Sequence, residues 1–182
     1  MINHTELAQQ INDNNVAVGW WKELQENPDL AKFYIPMKLC LVHSEITEAY
    51  LGWMDKDLDD HLPQYPMFHV EVADTAIRTY DLLGWFGTQV SEDKMQQFSV
   101  LNSTPGEFLV LHHMVTEALE CHRKGRQAEL ESWLVTLIYR CWAVSRIFKF
   151  DLEKVINDKL EYNAQRLDHK LENRNAEGGK AI

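Results

Sequence analysis

The stretch "LVHSEITEAYLGW", residues 41–53, has the spacing of a helix that buries one side, yet it sets Glu45 and Glu48 one turn apart beside Leu41, Val42 and Ala49. A carboxylate next to an apolar face is costly unless something pairs with it. The one-turn acidic pair returns in "EVADTAIRTYD", residues 71–81, as Glu71 and Asp74. Residues three apart share a helical face, so each pair forms a two-carboxylate clamp.

The rest of the chain reads as helix too. Sustained period-two alternation is lacking, and glycine and proline fall between the periodic segments. A first helix is predicted from Thr5 to Gln25, stopped by "ENPD". A second opens near Pro36, which suits a first helical turn, and ends near Lys56. A third runs from about Pro66 to "LLGW", and a short one opens at Ser91. In "STPGE", Thr104 can cap, Pro105 takes the first helical position and Glu107 completes a capping box for a helix to about Lys124. Arg126 to Phe148 and a helix opening at Asp151 follow. The predicted class is all-α, a helical bundle in a single domain spanning 1–182. Within it, 1–85 is the acidic half, 104–150 a possible degenerate repeat and 151–182 a terminal helix and tail.

The repeat rests on two short matches: "HSEITEAY" (43–50) with "HHMVTEAL" (112–119), and "DTAIRTY" (74–80) with "VTLIYRC" (135–141). Matches this short also arise by chance among helical sequences. In that alignment Glu48 finds Glu117, whereas Glu45, Glu71 and Asp74 fall opposite Met114, Ser132 and Val135.

Composition narrows the function. A formal net charge of −10 argues against a nucleic-acid partner, which needs a clustered cationic surface. No stretch approaches the length of a membrane span, and three cysteines without CxxC spacing read as reduced thiols, so a cytoplasmic setting is expected. Two readings of the acidic quartet compete. In one, Glu45, Glu48, Glu71 and Asp74 face each other across two antiparallel helices and hold a hard cation, Mg²⁺ or Mn²⁺. In the other both pairs are solvated faces, with Asp74, Arg78 and Asp81 making ordinary surface ion pairs. The apolar neighbours of Glu45 and Glu48 favour the metal. A di-iron bundle needs Glu-x-x-His, which is missing, and "DKDLDD" (55–60) departs from an EF-hand at Asp60 and Pro66.

On the last helix the apolar stripe Leu152, Val155 and Ile156 continues as Lys159, Asn163, Arg166 and Lys170. An apolar face that turns cationic suits packing followed by contact with phosphate oxygens, or a helix end whose cations favour its dipole. Trp20 and Trp21 offer a stacking surface or core, and Asn12, Asn14 and Asn15 offer donors and acceptors for a base edge.

ExxE and ExxD separated by 22 residues (49 to 70), together with "DLEKVINDKLEYNAQR" and a late "GGK", resemble the MazG-like nucleoside triphosphate pyrophosphohydrolases, relatives of the dimeric dUTPases. The likeness covers roughly residues 15–85 and 150–180. It implies Mg²⁺, with Mn²⁺ as substitute, held by Glu45, Glu48, Glu71 and Asp74. It also implies Lys159, Asn163 and Arg166 on the nucleotide phosphates, joined in this chain by Arg78 and Trp20 as further substrate contacts. Glu45 or Glu48 would orient the attacking water. The implied reaction turns a nucleoside triphosphate, such as dGTP, dCTP or dUTP, into the monophosphate and pyrophosphate. The implied assembly is a homo-oligomer, most simply a dimer, or a chain whose second copy stands in for the partner. Ser44 departs from the family, which often carries a glutamate there, and residues 86–148 exceed what a minimal member needs. The rival expectation is a non-catalytic helical module for nucleotide sensing or oligomerisation.

Overall fold

A computed structural model of the chain describes residues 2–92 and 104–166. Among them are seven α-helices: α1 (His4–Ala17), α2 (Lys22–Glu26), α3 (Ala31–Asp55), α4 (Met67–Phe86), α5 (Thr104–Arg123), α6 (Gln127–Phe148) and α7 (Leu152–Gln165). The all-α class is as predicted. The short helix expected from Ser91 and the tail position Lys170 lie almost wholly or wholly outside the described residues.

Three local expectations need correction. The first predicted helix is broken in two, because Gly19 takes a left-handed conformation (φ 83°) that turns the chain between α1 and α2. Pro36 lies inside α3 and does not open it. Its missing N–H leaves the carbonyl of Lys32, four residues back, without a helical donor, and His122 of α5 hydrogen-bonds that carbonyl instead. Glu107, read as a capping-box residue, is buried and its Oε2 accepts from Arg140 Nη2 at 3.2 Å.

The central scaffold is two antiparallel hairpins, α3–α4 and α5–α6, packed on one another through α3 against α5 and α4 against α6. Most of α4 is buried, because α1, α3, α6 and α7 all pack against it. Leu39, Val42, Ile46 and Ala49 of α3 and Val70, Ala73, Ala76 and Leu83 of α4 fill the shared core. α1 crosses α4 where Gly84 lets the backbones meet; a Cβ there would lie 2.3 Å from the Ala8 carbonyl oxygen. α7 is capped by Asp151, whose side chain accepts from Lys154 N, and buries Leu152, Val155 and Ile156.

A Glu–Arg ion pair recurs in the two hairpins: Glu45 with Arg78, and Glu107 with Arg140. Both pairs span 33 residues, and each member shifts by 62 (45 to 107, 78 to 140). Buried positions follow the same shift, as in Ile46 with Phe108 and Ala49 with Leu111. The sequence alignment placed α5 seven residues further on. Seven residues are close to two full turns, so that slip keeps the apolar face in register and escapes a pattern search.

Candidate metal centre

Antiparallel packing of α3 on α4 dictates the site. Lys38 meets Asp81, and seven residues along each helix Glu45 meets Asp74. One carboxylate oxygen from each of Glu45, Glu71 and Asp74 falls within a sphere where all lie within 4.8 Å of one another. Glu45 and Glu71 are buried and Asp74 nearly so. Glu48 lines the same cavity but is exposed and stands outside this three-carboxylate group. So the predicted quartet is a buried trio with a fourth carboxylate at its rim.

Cations approach the trio from both sides. Lys159 of α7, itself 5% exposed, places Nζ 2.7 Å from Asp74 Oδ2. Arg78 donates Nε to Glu45 Oε1. The competing surface reading had Arg78 paired with Asp74 on its own helix; the guanidinium instead crosses to α3. Glu71 is different: its Oε2 is buried with no hydrogen-bond partner. Burial, then the Asp74 charge and a hydrogen bond from its side to Glu45, push the Glu71 carboxyl up to about 10. Burial also raises Asp74, to about 6, against the pull of Lys159. Burial lowers Lys159, but Asp74 and the further carboxylates Asp59 and Glu71 outweigh it and leave the ammonium above its usual range.

The group fits a hard cation on its own chemistry. All its donors are carboxylate oxygens, which suit Mg²⁺ or Mn²⁺ and not a thiolate- or imidazole-seeking metal. An orphaned buried oxygen is the mark of a missing partner.

Around the trio runs a cavity of about 280 Å³. The residues read as metal ligands and substrate contacts line it: Trp20, Glu45, Glu48, Glu71, Asp74, Arg78, Lys159, Asn163 and Arg166. Of the three asparagines only Asn15 does; Asn12 is buried against Asp81, and the Asn14 carbonyl closes the end of α1. Trp21 is core, stacked on Trp85 at 4.3 Å between ring centres.

Three polar lining residues were missed. Asp81, read as a surface acid, is buried and accepts from Asn12 Nδ2 at 2.9 Å, Trp21 Nε1 at 2.8 Å and Lys38 Nζ at 3.3 Å. Lys38 spans this carboxylate and the Trp21 ring, 4.5 Å from its centre. The signal was there: Lys38 lies seven residues before Glu45 and Asp81 seven after Asp74, both on the faces already singled out. His61 belongs to the acidic loop between α3 and α4, where the buried Asp59 accepts from the His61 and Leu62 amides at 3.0 and 2.7 Å. Aperiodic loop sequence carried no sign of it.

Compared with known protein families, curated proteins and solved structures, the chain gives no match. No helix among the described residues is long and apolar enough to cross a membrane.

Proposed function

We propose that this chain hydrolyses a nucleoside triphosphate between the α- and β-phosphates, releasing pyrophosphate, as a divalent-cation-dependent enzyme of the MazG-like kind. The observation that carries the proposal is the meeting, in one cavity, of a buried carboxylate trio carrying an orphaned oxygen with Lys159 and Asn163 of α7 and Arg166 just past its end. Phosphoryl transfer asks mainly for positioning and charge stabilisation, and this cavity offers both signs of charge.

Glu45, Glu71 and Asp74 would hold Mg²⁺ or Mn²⁺, which when bound supplies Lewis acidity and charge neutralisation. Arg78 fixes the Glu45 carboxylate from the opposite helix. Lys159 is held at the trio by Asp74 and donates to a phosphate oxygen beside it, and Asn163 on α7 and Arg166 at its C-terminal cap continue that contact. Glu48, one turn from Glu45 at the cavity rim, orients the attacking water and accepts its proton. We read α5–α6 as a degenerate copy of α3–α4. At the shift of 62 set by the Glu–Arg pairs, Trp133 and Thr136 stand where Glu71 and Asp74 stand (71 to 133, 74 to 136), so the second hairpin does not repeat the carboxylate trio.

The test is an assay of pyrophosphate release over the common ribo- and deoxynucleoside triphosphates with Mg²⁺ or Mn²⁺. Monophosphate and pyrophosphate are the expected products. Orthophosphate alone would overturn the assigned bond. No turnover by folded protein would favour the non-catalytic nucleotide-sensing or oligomerisation module.

A further inference from the structure

The cavity is polarised along the α3–α4 seam. The loop joining α3 to α4 brings His61 to one end, and the carboxylate trio with Lys159 occupies the middle. Lys38 and Asp81 stand at the other end, seven residues from Glu45 and Asp74 along their helices, which is about 10.5 Å of helix axis. Between them the lining turns apolar at Leu41 and Ile77. Phosphates belong with the trio and the cations of α7, so the uncharged nucleoside falls between Leu41 and Ile77, with the far edge of its base toward Lys38.

Asp81 makes Lys38 a fixed feature and not a mobile surface cation. Its Oδ1 is engaged by Asn12 and Trp21, and its Oδ2 by Lys38. The lysine is confined further by the Trp21 ring beneath it, and its side chain is only 13% exposed. An ammonium offers three donors and no acceptor. A base edge that meets it must present an acceptor. A keto oxygen satisfies that need, whereas an exocyclic amino group would set donor against donor in a confined site.

We infer that Lys38, held by Asp81, is a specificity-determining residue that selects triphosphates whose base carries a keto oxygen at the edge opposite the sugar, over their amino counterparts. This rests on the pyrophosphohydrolase reading above. The geometry therefore favours guanine-, hypoxanthine- and uracil-type bases over adenine and cytosine.

The experiment compares kcat/KM for two matched pairs, dITP against dATP and dUTP against dCTP, in wild type, Lys38→Met and Lys38→Gln, with thermal melting to verify folding. Wild type is expected to favour the keto member of each pair by about 10- to 100-fold, the range one charge-assisted hydrogen bond supplies. Both variants should bring the ratios close to one. Glutamine keeps a polar group over Asp81, so it carries the comparison if the methionine variant does not fold. Turnover without keto preference in wild type, or a preference that survives in a folded variant, overturns this inference and leaves the proposed reaction standing. No turnover of any of the four overturns this inference, and no turnover of any common ribo- or deoxynucleoside triphosphate by folded wild type overturns both.

Discussion

Lys159 Nζ lies 2.7 Å from Asp74 Oδ2, and α7 has no other buried cation among its described residues. The contact makes the terminal helix part of the acidic centre, since the same lysine faces Glu71 and Asp59. Removing it leaves Asp74 buried beside Glu45 and Glu71 with one compensating charge fewer. Lys159→Met should lower the stability of the cation-free protein by about 3–5 kcal/mol, the usual cost of breaking a buried pair from one side. Saturating Mn²⁺ should restore much of that loss in a thermal melt, because it supplies the missing positive charge. A variant as stable as wild type without cation would show that Asp74 is already neutral there.

The acids of the trio also set a pH dependence. Glu71 and Asp74 rise from ordinary values of 4.5 and 3.8 to about 10 and about 6. The folded protein thus keeps protons that the unfolded chain releases, so its stability falls as pH rises: from about 3.8 to 6 through Asp74, and from 4.5 upward through Glu71. A divalent cation displaces those protons and binds more tightly as they leave. The increase in Tm on adding Mn²⁺ should therefore be larger at pH 8.5 than at pH 6. An increase independent of pH would exclude the trio as its binding site.

Glu48 and Glu71 should fail in different ways. Glu71 carries the orphaned oxygen, so Glu71→Gln should abolish Mn²⁺-induced stabilisation and, with it, turnover. Glu48 lies outside the trio, so Glu48→Gln should keep the cation effect while kcat falls by about 10²–10⁴, the range of a lost general base. Near wild-type kcat in Glu48→Gln would move the water-orienting role to another carboxylate. Loss of cation binding in that variant would bring Glu48 back among the ligands.

How far the site could be read in advance follows from where its information lies. Glu45 with Glu48, and Glu71 with Asp74, repeat within one helix each, and i, i+3 spacing survives folding unchanged. Lys159 was legible for a related reason: it continues the stripe of Leu152, Val155 and Ile156 onto the buried face. What escaped were pairings between helices. The surface reading offered Arg78 only a partner on its own helix and treated Asp81 as a surface acid, but Glu45 and Lys38 reach them across the seam. Pro36 was misplaced for the same reason, since the carbonyl it leaves is served by His122 of a distant helix.

The close crossing of α1 over α4 supports the Lys38 end of the cavity. Gly84 allows it, because a Cβ there would fall 2.3 Å from the Ala8 carbonyl oxygen and 2.6 Å from Asn12 Cβ. Backbone on one side cannot rotate away, so Gly84→Ala must push α1 outward. Overpacking of that kind costs about 1–3 kcal/mol, which a helix-favouring alanine offsets only in part. The displaced segment carries Asn12, which holds Asp81 through bonds of 2.9 and 3.1 Å to its side chain and carbonyl. Gly84→Ala should thus reduce Tm and also disturb Asp81 and Lys38, three residues and one helix away. The Mn²⁺-induced rise in Tm should persist, since Glu45, Glu71 and Asp74 lie two or more turns from the crossing. Loss of that rise in a folded Gly84→Ala protein would show that the crossing supports the carboxylate trio as well.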